Sequence, residues 1–184
     1  MLMGKKIVIV SASPRKNGNS EVLANEFMRG AFENGNEIEM IKIREMNLQF
    51  CRGCFACLKT HKCVVKDDFT QRILKLLCEA DVIVFATPVY YYAVSGQLKT
   101  FIDRMNPLYE MEQHCNEIYI IATAAENDPR AFKGVKEDIK GYIDCYENKK
   151  IKGTLFAGGV NDVGDVKKHK EYLDKAYEMG KKIK

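Results

Sequence analysis

The sequence has no apolar run long enough to span a membrane, and its start, MLMGKKIVIV, is too short in apolar residues for an export signal. We therefore expect a cytoplasmic protein with no membrane partner. It also has no low-complexity tract, no proline-rich linker and no internal repeat, so residues 1–184 are expected to form a single domain. Blocks of one charge sign are missing too. The formal net charge is +4, and basic residues are spread out apart from Lys181, Lys182 and Lys184 at the end, so no nucleic-acid footprint is present. G-x-G-x-x-G is absent, which argues against a dinucleotide-type Rossmann site, and G-x-x-x-x-G-K-[ST] is absent, which argues against an ATPase. The three histidines, His61, His114 and His169, are scattered, form no constellation with carboxylates, and read as surface or helix-face residues.

What the chain does have is strand–helix alternation. KIVIV (6–10), DVIVFA (81–86), EIYIIAT (117–123) and GTLFAG (153–158) are short β-branched apolar runs of the kind found in strands buried on both faces. EIEMIKI (37–43) alternates instead, as a strand near a sheet edge does. Between them run helical stripes: Leu23, Phe27 and Ala31; Phe69, Ile73, Leu76 and Leu77; Val94, Leu98, Phe101, Ile102 and Met105; a longer one from Phe132 to Tyr146; and a last from Val166 to Ile183. Five such repeats with right-handed crossovers predict an α/β three-layer sandwich. Its five-stranded parallel sheet should have the flavodoxin-like order 2-1-3-4-5, with a ligand crevice at the carboxyl ends of strands 1, 3 and 4.

Two loops fall at that crevice. SASPRKNGNS (11–20) leads from the first strand into a helix start, where hydroxyls, amides and free backbone N–H groups favour an anion. Capping by Asn19 or Ser20 would explain one residue of this loop but not ten polar ones. ATPVYYYAVSGQLKTFIDR (86–104) places Pro88 and three tyrosines before a helix whose first turn holds Ser95 and Gly96, and can offer backbone groups to the polar edge of a flat ligand. Tyr92 reads equally well as a core or interface aromatic. Asp103 and Arg104 read as an ion pair or helix-end contacts.

CRGCFACLKTHKC (51–63) sets Cys51, Cys54, Cys57 and Cys63 in one compact loop eased by Gly53. Four sulfurs suit a [4Fe–4S] cluster or a tetrahedral zinc site in which His61 could replace one thiolate. A dithiol cycling to a disulfide is a third possibility, and a structural role explains one or two such residues better than four. The spacing departs from the bacterial ferredoxin run, and two separated knuckles are commoner for zinc. Cys78, Cys115 and Cys145 stand in helix or strand contexts and read as core thiols.

Taken together, SASPRKNGNS, the cysteine loop followed by KDDF, ATPVYYYAVSGQLKTFIDR and the late GGVNDVGD resemble the NAD(P)H-dependent FMN reductases of flavodoxin-like fold, in particular their iron–sulfur flavoprotein branch. The resemblance implies FMN, held by Ser11, Ser13, Arg15, Asn17, Asn19 and Ser20 at its phosphate end. Pro88, Val89, Tyr90 and Tyr91 would lie along its ring, with Thr123 and Ala124 approaching the other side. It also implies a cluster on the four loop cysteines, in a position bordering the flavin. The implied activity is transfer of electrons from NAD(P)H through FMN to a flavin, quinone or similar small acceptor, in a homodimer or homotetramer. Electron carriage through the cluster to a ferredoxin-like protein is the alternative, and a non-catalytic zinc-stabilised module is a third.

Overall fold

The structure, a computed structural model, describes residues 4–184. Strands β1 (Lys6–Ser11), β2 (Glu37–Lys42), β3 (Val82–Tyr90), β5 (Glu117–Thr123) and β6 (Lys150–Ala157) form a parallel sheet of order β2-β1-β3-β5-β6. A two-residue strand, β4 (Ala93–Val94), folds back antiparallel on the end of β3. Leaving out that short hairpin arm, the order is the expected 2-1-3-4-5, and the fold is flavodoxin-like.

The apolar runs take these positions because strand side chains alternate between faces. Ile7, Ile9, Val82, Val84 and Ile121 point to one layer, where they meet Leu23 and Phe27 of α1 (Asn19–Glu33) and Ala176 of α6 (Lys170–Lys181). Val8, Val10, Ile83, Phe85 and Ile120 point to the other. There they meet Leu77 of α3 (Leu74–Glu79), Phe101 of α4 (Gly96–Arg104) and Ile139 of α5 (Lys133–Ile143). A π-helical turn, Phe69–Ile73, leads into α3, and α2 (Ala56–Thr60) is a single short turn inside the cysteine loop. No helix among the described residues is long and apolar enough to cross a membrane.

The helical stripes run past the helices they announce. Val94 belongs to β4, and Val166 lies in a 3₁₀ turn that Gly164, at φ +83°, sets off from the preceding loop. Both are buried, so the periodicity marks what packs rather than which backbone carries it. β6 begins at Lys150, three residues earlier than the apolar run, and a register shift opposite Ile118 and Tyr119 accommodates its start.

Helices α1 and α6 touch backbone to backbone. A Cβ on Gly180 would lie 2.0 Å from Phe27 O, and one on Gly30 would lie 2.1 Å from Tyr177 O. Only glycine allows this approach. Gly180→Ala is expected to cost about 1–3 kcal/mol, as overpacking does, measured as a lower urea midpoint with unchanged slope.

Candidate functional site

At the carboxyl ends of the strands, the loop after β1 enters α1 through Gly18, an N-cap without a side chain, so no side-chain oxygen caps the first N–H groups of the helix. A Cβ at Gly18 would fall 2.3 Å from Ser13 Oγ, which itself bridges Arg15 by donating to its carbonyl and accepting from its N–H. Ser20 Oγ is buried and has no hydrogen-bond partner. An uncapped helix start, a withdrawn hydroxyl and the Arg15 charge suit a phosphate. Ser11 Oγ is also buried and unpartnered, but it does not line the crevice.

The loop after β3 is a two-residue hairpin. Tyr90 pairs with Ala93, and Tyr91 and Tyr92 between them have φ +50° and +62°. Tight hairpins need this left-handed pair, and glycine or asparagine usually supplies it. Two tyrosines there store strain, which tends to collect at functional sites. Tyr91 is wholly exposed. Tyr92, half-exposed rather than core, donates to Glu126 at 2.8 Å and lies under Arg130. Thr87 Oγ1 accepts from Ser95 N–H. Ser95 Oγ caps α4 at Leu98 N–H and donates to Ala12 O, which knits the first and third strand ends together.

The crevice between these loops has a volume of about 190 Å³. Ser13, Arg15, Asn19, Ser20, Pro88, Val89, Tyr90, Thr123 and Ala124 line it, whereas Asn17 and Tyr91 do not. Arg15 and Asn19 have a further duty. Arg15 Nη1 donates to Asn161 O at 2.8 Å, and the Asn19 amide donates to Asp162 O while accepting from Val166 N–H. They therefore clamp the late loop, and its Val160, Asn161 and Val163 form a wall that no single-residue reading of the sequence had picked out. The signal available was GGVNDVGD, a polar, glycine-rich stretch after the last strand.

No residue of 51–63 lines this crevice, while Phe50, just before the cysteine loop, lines a neighbouring cavity with Gly96 and Gln97 at the start of α4. The loop is pinned at the far end of α4, a helix roughly 13 Å long at 1.5 Å per residue. There Arg104 and Asp67, both fully buried, form a two-pronged ion pair. Arg104 also donates to Gln49 O, Thr70 Oγ1 and, at 3.5 Å, Cys63 Sγ. Asn106 Nδ2 lies 3.4 Å from Cys57 Sγ, and Gly53 N–H lies 3.5 Å from Cys51 Sγ. Arg104 thus pairs with Asp67 and not with its sequence neighbour Asp103, which Lys99 takes at 2.6 Å.

Cys51 and Cys54 are exposed while Cys57 is buried, and among the described residues no three metal-ligating side chains are gathered for a metal ion. As placed, the four thiols do not fit a cluster or a zinc ion. Of the remote cysteines, Cys115 is a core thiol and Cys78 is half-buried, and burial pushes both thiols up. Cys145 is exposed on the outer side of α5's end, so the expectation of a core thiol is wrong there: i+4 spacing from Gly141 points it at solvent.

A family model described as NADPH-dependent FMN reductase matches residues 5–129. An iron-sulfur flavoprotein of Archaeoglobus fulgidus is 33% identical over 97% of this chain and 78% of its own length. One from Methanocaldococcus jannaschii is 41% identical over 56% of this chain, and the match spans about half of that relative (53%). Among solved structures, an NAD(P)H:quinone oxidoreductase from Methanothermobacter marburgensis superposes with a TM-score of 0.71 over 97% of this chain and 96% of its own. At 16% identity, this is a likeness of fold.

Burial alone would raise the Asp67 carboxyl, but hydrogen bonds from Arg104, Gln49 and Thr70 outweigh it and hold the group below the usual carboxylate range. The stability it contributes is complete above about pH 4, the ordinary carboxylate value, and is lost as pH falls through the depressed value in the folded protein. Asp67→Asn leaves a buried guanidinium without its counter-charge and is expected to cost about 3–5 kcal/mol in denaturant unfolding at neutral pH. The gap between variant and parent should close in acid.

Proposed function

This chain belongs to the NADPH-dependent FMN reductase family, an oxidoreductase family, and from that premise we propose that it draws electrons from NAD(P)H through FMN and delivers them to a small acceptor such as a flavin or quinone. FMN, when bound, supplies the hydride and electron chemistry. The protein supplies binding and orientation.

The observation that carries this reading is the uncapped start of α1 beside the buried, unpartnered Ser20 hydroxyl. Ser13, Ser20 and the first N–H groups of α1 would hold the phosphate, with Arg15 adding charge. Pro88, Val89 and Tyr90 would present backbone edges to the ring, with Thr123 and Ala124 opposite. At about 190 Å³ the crevice is smaller than the roughly 300 Å³ at which ligand cavities usually begin, so it suits the phosphate and its chain. The flat ring would then lie toward the exposed Tyr90 and Tyr91, where a second copy of the chain could cover it. No histidine lines the crevice, in keeping with a transfer that needs no protein acid or base.

Electron carriage through an iron–sulfur cluster is a second reading, favoured by the three N–H groups aimed at Cys51, Cys57 and Cys63. Such donors stabilise thiolates and cluster sulfurs. It requires the exposed Cys51 and Cys54 to turn inward. The non-catalytic zinc module is set aside, because the family is one of oxidoreductases.

Protein purified without oxygen should show flavin absorption that NADPH or NADH bleaches. About four irons with matching sulfide per chain would favour the carrier reading, and flavin with no iron would favour the reductase. No flavin, even after adding FMN, would sink both. Gly18→Ala should weaken FMN binding about tenfold or more with the fold retained, read by fluorescence titration, because the new Cβ displaces Ser13 from the phosphate loop. Tyr91→Gly should raise the urea midpoint by relieving about 1 kcal/mol of strain.

A further inference from the structure

A second cavity, of about 420 Å³, adjoins the crevice behind the loop that follows β5. The two share their dividing wall. Thr123, Ala124 and Val160 face the crevice, while Asn127 and Gly158, from the same two loops, face the second cavity. Those two residues meet so closely that a Cβ on Gly158 would lie 2.7 Å from Asn127 Oδ1. Lys133 and Lys136 of α5 and Lys175 of α6 converge on this cavity, and no carboxylate lines it. Nearby cations are neutralised: Arg130 by Glu126, Lys140 by Asp144, Lys168 by Asp165 and Lys170 by Asp174. Among the described residues, Lys133, Lys136 and Lys175 form no such pair. Three lysines without an ion-pair partner therefore line one hollow. Its floor is aromatic, with Phe132 and Phe156 stacked at 4.8 Å and 18°.

Cations beside an aromatic surface match a phosphate monoester carried next to a flat base. We propose that this cavity takes the 2′-phosphoadenosine end of NADPH and sets the preference for NADPH over NADH. The inference rests on the oxidoreductase reading above. A coenzyme whose nicotinamide reaches the open side of the crevice needs a neighbouring site for its other end, and the loop wall is all that separates the two. NADPH differs from NADH by the 2′-phosphate alone, so the unpaired lysines act on the one group that distinguishes the coenzymes.

The test is calorimetric titration of the FMN-loaded full chain with 2′,5′-ADP and with 5′-AMP, which differ by the 2′-phosphate alone, together with coenzyme kinetics. The parent should bind 2′,5′-ADP about tenfold more tightly or better. Lys136→Gln with Lys175→Gln should abolish that margin and raise KM for NADPH about tenfold, leaving KM for NADH and the circular dichroism unchanged. Lys136→Arg with Lys175→Arg, which keeps both charges, should preserve most of it. Equal binding of the two nucleotides by the parent, or a margin that survives the Gln pair, overturns the proposal. A clear margin with no reduction of FMN by either coenzyme upholds the site and overturns the functional reading. Reduction by NADPH without the margin does the reverse.

Discussion

Arg104 and Asp67 have no exposed side-chain surface at all, and a charge so withdrawn from water is tolerable only when it is paired and hydrogen-bonded. Both conditions hold. The carboxylate receives the guanidinium and two backbone N–H groups, and the guanidinium also reaches Gln49, Thr70 and Cys63. The long connection between β2 and α3 has only short turns of its own, a 3₁₀ turn at Ile43–Glu45, α2 and the π-helical turn, and this pair anchors it in the interior. The pair joins that connection to the end of α4. The start of the same helix, through Ser95, is joined to the loop after β1. One helix thus ties the connection that carries the cysteine loop to the loop after β1.

The crevice itself is assembled from loops that reach across the sheet. Arg15 and Asn19 grip backbone atoms of the late loop and bring Val160 and Asn161 opposite the β3 hairpin. That hairpin places two tyrosines in left-handed backbone, a conformation that glycine would adopt at lower cost. The surroundings hold it there. Tyr92 is fixed by Glu126, and Val94 N–H donates to Asp138 on α5. Left-handed backbone at non-glycine residues recurs at Asn17 in the loop after β1 and at Phe55 and His61 in the cysteine loop, so each of the three irregular loops carries such strain.

Because the loops after β5 and β6 each have two faces, they wall the crevice on one side and the lysine-lined cavity on the other. Two sites divided by shared backbone are coupled in position, so whatever orders one wall constrains the other.

The five main strands, their order and the two loops that lead the crevice were legible in the sequence because apolar periodicity and loop chemistry are local properties, written in neighbouring residues. The resemblance to FMN reductases was legible for the same reason: its motifs are short and contiguous. Partners distant in sequence could not be read that way. Arg104 stands beside Asp103 in the chain but turns to Asp67, because the helix points adjacent side chains in different directions and only one of them faces the interior. Asn161 joins the crevice through a contact with Arg15, 146 residues away. The cysteine spacing showed that four sulfurs share a loop. How the loop docks on the end of α4 was decided by tertiary packing, because a buried ion pair between Arg104 and Asp67, and not the loop's own sequence, anchors it there.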